Sequence, residues 1–354
     1  MGYGTKWLIS PVVDLTFICG GALWFLFGLH AVALAHCPVA FPLKVLENIA
    51  NLGVLFIAEA HTLSTFFLVS DEVEAGSQSS GSCQTLLASR ISAAWSVPAL
   101  LFLSVLVVGY VCLQFVVVPA VLAKIYLLLV PQHFIAQSRG IFLLYCLRCH
   151  YSLSGFRRWF LFFTTRLVMF YWMSVLLSHW SSPSQVFLFQ KLPDWSFLPD
   201  LAPAFLYLLS LGSCLLLSAI MVADFAAGRG PASWPGSLQL ISGLFLFLIP
   251  EPFLGELWLY APAYFHGSQY LCLVYSRTRN TREFLSFVFW PLALALSVIV
   301  FAGFPLLIQG LGLAAGAASG AAVAVVFCLA QFVHIVADAR IWKLRKTAVR
   351  AALS

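Results

Sequence analysis

Charge is what this chain has least of. Only 9% of its 354 residues are Asp, Glu, Lys or Arg, and 62% are apolar. A water-soluble domain carries about 25% charged residues. A surface this poor in charge excludes an ordinary soluble enzyme, and the net charge of +6 is too thinly spread for a nucleic-acid-binding face. The nine cysteines are scattered through apolar segments, where a free thiol behaves as a small hydrophobe, so no disulfide framework is expected. No two of the eight histidines lie within five residues of each other. That spacing excludes the paired histidine boxes of membrane desaturases and hydroxylases, and the His-Glu-x-x-His of a membrane zinc protease is missing too. A cleavable leader is not expected, because Lys6 precedes an apolar run that contains Asp14 and is long enough to span.

What the chain does have is a succession of apolar stretches about 20 residues long, the length of a transmembrane helix. They fall near 9–34, 45–69, 94–117, 121–147, 159–180, 201–223, 236–250, 258–276, 284–308 and 313–341. The expected fold is all-α: one transmembrane domain over 1–354, a bundle of about ten helices, with eight to ten as the range. The run 97–147 is too long for one helix and is expected to break at Pro119. The stretch 236–250 is short, ends in Pro250-Glu251-Pro252, and reads as a half-helix.

Charge then orients the spans. With both termini cytoplasmic, the inner segments hold Arg148, Arg157 and Arg158, then Arg277, Arg279 and Arg282. The last span ends in Arg340, and the tail 342–354 adds Lys343, Arg345, Lys346 and Arg350. The polar loop 71–92 also falls inside. The outer loops keep Lys44 and Lys191 among acids such as Asp194, Asp200, Glu251 and Glu256. This follows the positive-inside rule and suits a bacterial inner membrane. Gly312, Gly316 and Gly320 repeat every four residues, a spacing that lets a helix approach its neighbour closely in lipid.

Four histidines lie well inside spans: His61, His133, His266 and His334. By the charge-derived orientation their helices all run from outside to inside. Each histidine sits roughly 8 to 14 residues from the inner end, a depth of about 12–21 Å at 1.5 Å per residue. Ionisable groups at that depth cost a few kcal/mol each even on the lenient insertion scale, so they mark candidate function. Each has polar company: Glu59, Ser64 and Thr65 around His61, Gln137 after His133, Gln269 and Tyr270 after His266, and Gln331 and Asp338 flanking His334. Neutral imidazole suits iron, zinc and copper, and ligating histidines hand their second nitrogen to a carboxylate or amide. The expectation is a metal site with these four histidines as ligands, and Glu59, Gln137, Gln269 and Asp338 orienting them or relaying protons. The plainer alternative is a network of interhelical hydrogen bonds. Asp14, Arg139 and Arg166 also fall within spans, where an Asp–Arg pair would lower the cost of burial.

A second motif competes. Cys146-Leu-Arg-Cys149-His150 fits Cys-x-x-Cys-His, the attachment signature of c-type haem. It lies at the inner end of its span, whereas covalent haem attachment normally happens on the outer face.

One histidine per helix, with an acid four residues on in His334-Ile-Val-Ala-Asp338, resembles the membrane-embedded β-carotene dioxygenase family related to the bacteriorhodopsin-associated protein. The resemblance is one of layout, since the Pro-His-Gly and His-Phe-Gly signatures of that family are absent. It implies a non-haem iron held by four helix-borne histidines and an apolar substrate.

The function expected from these readings is an iron-dependent (or other first-row metal) membrane oxidoreductase acting on an apolar or lipid-like molecule that arrives from the lipid. Two alternatives stay open. One is a non-catalytic, haem- or pigment-binding subunit of a larger membrane complex. The other is a transporter, supported only by the broken helix near 250.

Overall fold

The computed structural model describes residues 7–36, 59–62, 64–65, 103, 107–111, 114–115, 117–178, 186–187, 190–227, 234–248, 261–281, 283–303, 307, 310 and 318–341. In chain order these form α1 (Pro11–Val13, continued by a π-helical turn Asp14–Ile18), α2 (Gly21–His36), α3 (Val118–Arg148) and α4 (Gly155–Leu176). A two-stranded antiparallel hairpin follows, β1 (Val186–Phe187) and β2 (Gln190–Lys191). Then come α5 (Leu201–Ala226), α6 (Trp234–Leu248), α7 (Ala261–Thr281), α8 (Glu283–Val298, continued by the π-helical turn Ile299–Gly303) and α9 (Ala318–Ile341). Residues 59–62 and 64–65 are helical as well.

The all-α expectation holds, and several long apolar helices fit a membrane protein. Among the described residues four helices are long and apolar enough to cross a bilayer: Val118–Arg148, Gly155–Leu176, Leu201–Ala226 and Gly320–Asp338. The pair Pro11–Ile18 and Gly21–Leu29, bent by 54°, makes a fifth if it counts as one span. The described residues thus account for four or five of the expected ten spans. The helix expected at 236–250 is α6, only 15 residues long. The stretches expected at 45–69 and 94–117 lie mostly outside the described residues, as do the loop 71–92, Gly312, Gly316 and the tail 342–354.

The central element is α3, which packs against α4, α6, α7 and α9. Its start is the break expected at Pro119: a proline in the first turn forfeits no hydrogen bond, because that N–H has no partner within the helix. Pro131 lies mid-helix, where proline normally leaves the carbonyl four residues back without its partner. That carbonyl is Leu127's, and the buried Trp172 indole of α4 donates to it at 3.3 Å. In lipid, where no water can substitute, such a donor keeps a proline-containing helix intact.

The end of α3 gives the Cys-x-x-Cys-His stretch a structural account. His150 takes a left-handed conformation (φ 51°). The Tyr151 N–H returns to the Cys146 carbonyl at 2.8 Å, and the His150 N–H to the Leu147 carbonyl at 3.1 Å. This is the Schellman pattern that ends a helix. Cys146 is buried in the core, Cys149 is half-buried and His150 is exposed.

Among the described residues the expected Asp–Arg pair does not form through Asp14. Its carboxylate accepts from the Leu8, Ile9 and Ser10 N–H groups and, at 2.6 Å, from the Tyr145 hydroxyl. The chain before α1 folds back over the carboxylate and supplies its donors locally. Arg139 instead lies over the Phe162 ring at 4.2 Å, a cation–π contact. Arg157 pairs with Asp224 and ties α4 to α5. The rest of α5 turns Phe205, Leu208, Leu215, Leu216, Val222 and Phe225 outward, a face suited to lipid rather than water.

Candidate metal centre

The four histidines meet. His133 comes from α3, His266 from α7, His334 from α9 and His61 from the helical residues 59–62. Neighbouring ring centroids lie 4.6 Å (His61–His266), 4.6 Å (His266–His133), 4.9 Å (His133–His334) and 4.6 Å (His334–His61) apart, and one diagonal, His266–His334, is 6.1 Å. The ring centroids thus close a rough square. Their Nε2 atoms point inward: His266 to His61, His61 to His334, and His334 to His133, each at 3.1 Å.

Hydrogen bonding alone cannot account for these contacts. A ring nitrogen has one in-plane position, holding either a proton or a lone pair. The Nε2 atoms of His61 and His334 each make two of the three contacts. Proton sharing satisfies at most the outer two, and the central His61–His334 contact is left without one. A cation between the rings relieves this, because lone pairs can then face it: His61, His266 and His334 offer ligand atoms within 4.8 Å of one another, and so do His133, His334 and Asp338. First-row metals hold imidazole nitrogen at about 2.0–2.1 Å, which puts neighbouring donors roughly 2.9–3.4 Å apart. The spacing in the structure falls in that range.

Around the square the protein controls the rings closely. Phe134 stacks on His266, with centroids 4.3 Å apart and planes 27° apart. Asp338 places Oδ2 3.6 Å from His334 Nε2 and 3.8 Å from His133 Nε2. Its Oδ1 accepts from the Tyr270 hydroxyl at 2.6 Å. Thr65 Oγ1 lies 2.8 Å from that hydroxyl and 2.6 Å from His334 Nδ1. His61, His266 and His334 form one set within metal-holding reach, and His133, His334 and Asp338 a second. His334 belongs to both.

Of the residues expected to orient the ligands, only Asp338 reaches a histidine ring. Gln137 donates to the His266 carbonyl at 3.1 Å and to Gln269 Oε1 at 3.4 Å, and Gln269 donates to the Ile18 carbonyl at 2.7 Å. These two amides hold the helix of His266 against α3 and α1. Glu59 accepts from Gln331, which also donates to Thr62 at 2.8 Å. Among the described residues His266 Nδ1 has no hydrogen-bond partner. Tyr270 and Thr65, noted in the sequence only as polar neighbours, do reach the rings. Their one sequence signal is helical spacing, since each stands four residues after a ligand.

Two glycines fix where α7 sits. A Cβ on Gly243 would lie 2.8 Å from the Phe265 ring and 2.9 Å from Ser138 Oγ, and one on Gly20 would lie 2.6 Å from Phe265. Gly20 also has φ +78°, a conformation that glycine adopts without strain. Phe265, the neighbour of His266, is held between them. Gly243→Ala is therefore expected to displace α7, cost about 1–3 kcal/mol and lower metal retention. Thermal unfolding and elemental analysis of the variant in detergent check this. Gly212→Ala serves as the control, since its Cβ would meet nothing within 4 Å.

A cavity of about 450 Å³ opens beside the square, lined by α3, α7 and α9. His133, Tyr270 and Asp338 stand in its wall, together with Gln132, Gln137 and a majority of apolar residues. The α3 positions lining it are Leu129, Gln132, His133, Ala136, Gln137, Gly140, Ile141 and Leu144. These recur every three or four residues, one face of the helix over roughly 22 Å. The cavity is accordingly a slot rather than a bowl.

No family model, no curated protein and no solved structure matches the chain, so the chemistry has to be read from the site itself.

Proposed function

We propose that this chain is an integral-membrane metalloenzyme, an iron-dependent oxidoreductase acting on an apolar or lipid-like molecule in a bacterial cytoplasmic membrane. The observation that carries the reading is the set of three Nε2–Nε2 contacts, which hydrogen bonds alone do not explain and a bound cation relieves. His61, His133, His266 and His334 would hold the metal. An all-imidazole set with a nearby carboxylate and no thiolate suits iron among the first-row metals that imidazole binds. Bound there, such a metal would supply redox and Lewis-acid chemistry. The rest falls to the protein. The apolar slot takes up the substrate and keeps water away, His133 and Asp338 face that slot, and Asp338 Oδ2 stands at the edge of the square to accept or return a proton. Because the slot lies between helices, an apolar molecule can reach it sideways from the lipid.

Elemental analysis of the purified full-length protein tests this. The expected result is close to one equivalent of iron, with the metal lost in His266→Ala. A wild-type protein holding no metal after native expression and after metal supplementation would sink the proposal. A Soret band in place of non-haem iron would sink it too.

A further inference from the structure

We propose that Thr65 and Tyr270 are positioning residues of the metal centre: they hold His334 in its Nδ1–H form, so that Nε2 is left bare to face the metal. The proposal rests on the metal-centre reading and deepens it.

The argument is a count of protons. Three short contacts run in series: His334 Nδ1 to Thr65 Oγ1 at 2.6 Å, Thr65 Oγ1 to the Tyr270 hydroxyl at 2.8 Å, and that hydroxyl to Asp338 Oδ1 at 2.6 Å. Each needs one hydrogen. A carboxylate brings none, a phenol brings one and a threonine hydroxyl brings one. Tyr270 donates its hydrogen to Asp338. Thr65 must then donate to Tyr270, and the remaining contact needs its hydrogen from His334 Nδ1. A neutral imidazole protonated at Nδ1 carries its lone pair on Nε2, which is the nitrogen turned toward His61 and His133. The Thr65 hydroxyl also lies 3.5 Å from the His61 carbonyl, but that longer contact cannot take its hydrogen without emptying the 2.8 Å one.

The same series fixes the carboxylate. With Oδ1 held by Tyr270, Asp338 turns Oδ2 toward the Nε2 atoms of His334 and His133, at 3.6 and 3.8 Å, beyond hydrogen-bond range. Oδ2 thus faces the histidines from a residue that also lines the slot. All of these side chains come from the inner faces of their helices: Thr65, Tyr270, His334 and Asp338 are each at most 7% exposed.

Cobalt(II) is a suitable probe, because its d–d absorption reports the number and arrangement of ligands. It would be titrated into metal-stripped, full-length protein in detergent micelles, with Thr65→Val, Thr65→Ser and Tyr270→Phe compared with the unaltered chain. Partners that orient a ligating histidine typically hold 10–100-fold in metal affinity. Thr65→Val and Tyr270→Phe should therefore weaken cobalt binding roughly 10–100-fold and shift the d–d bands. Thr65→Ser, which restores the hydroxyl, should bind almost as the unaltered chain does. Wild-type affinity and spectrum in both Thr65→Val and Tyr270→Phe would overturn the proposal, even if thermal unfolding showed them to be less stable. Should Thr65→Val fail to fold, Tyr270→Phe decides alone. Failure of the unaltered protein to take up cobalt at all is a different result, and it overturns the metal centre itself.

Discussion

Replacing His334 with alanine should strip the protein of its metal while leaving a folded helical bundle. His334 is the residue the square can least spare. Its Nε2 makes two of the three inner contacts, with His61 and His133, and it belongs to both sets of groups that could hold a cation. Its Nδ1 also anchors the series through Thr65 and Tyr270 to Asp338. Perturbing only an outer partner of a ligand costs on the order of 10–100-fold in affinity, and loss of this ligand removes both layers at once. The fold has reason to survive. Most residues of α9 from Ala322 to Ala330 are small or apolar and buried, and α9 packs against α3. Alanine is also the best helix former. Elemental analysis of the variant, with circular dichroism to confirm helix content, reads out both halves of the expectation. Unchanged metal content in His334→Ala would rule the square out as the binding site. If neither form held metal and only stability fell, the histidines would be an interhelical polar network.

Much of the centre could be read from the chain, because depth in a membrane can be counted. With the spans oriented by their basic loops, His61, His133, His266 and His334 are expected at one depth, and in the structure their rings do meet. The four-residue step from His334 to Asp338 was equally readable, since i and i+4 share a helical face. The partners of the other ligands were not. Gln137 and Gln269 stand at the spacing that would place them beside His133 and His266, yet Gln137 reaches across to the His266 carbonyl and Gln269 to Ile18. Helical spacing says which side chains share a face, not which neighbouring helix stands against that face. Thr65 shows the same limit: its working partners, Tyr270 and His334, are more than 200 residues away. The Leu127 carbonyl, Pro131 and Trp172 arrangement also depends on how α3 and α4 are rotated, which no local pattern specifies. Cys-x-x-Cys-His is the reverse case. It is a well-formed motif, and local backbone geometry gives it a helix-ending role.

Gly140→Phe should abolish occupancy of the slot and leave the metal in place. Gly140 lines the slot, and a Cβ built there meets nothing within 4 Å, so the ring has room to enter without moving backbone. The substitution also removes a mid-helix glycine, which costs about 1 kcal/mol relative to alanine, so the bundle should be no less stable. Gly140 stands seven residues after His133 on the same face of α3, roughly 10 Å along the axis. A phenylalanine ring there obstructs the apolar stretch near Ile141 and Leu144 without touching the ligands. An alkyl chain bearing a photoreactive diazirine can be added to membranes holding the protein, and the labelled peptides mapped by mass spectrometry. In the unaltered protein the label should fall on the α3 stretch 129–144 and on Phe332, Ile335 or Val336 of α9, all of which line the slot. In Gly140→Phe the labelling should disappear at equal metal content, and Gly140→Ala should reduce it only for the longer chains. Labelling that persists in Gly140→Phe, or that falls evenly over lipid-facing positions such as Phe205 and Leu208 of α5, would mean that the slot is not where an apolar molecule binds. The histidine centre would then need a substrate that reaches it by another route.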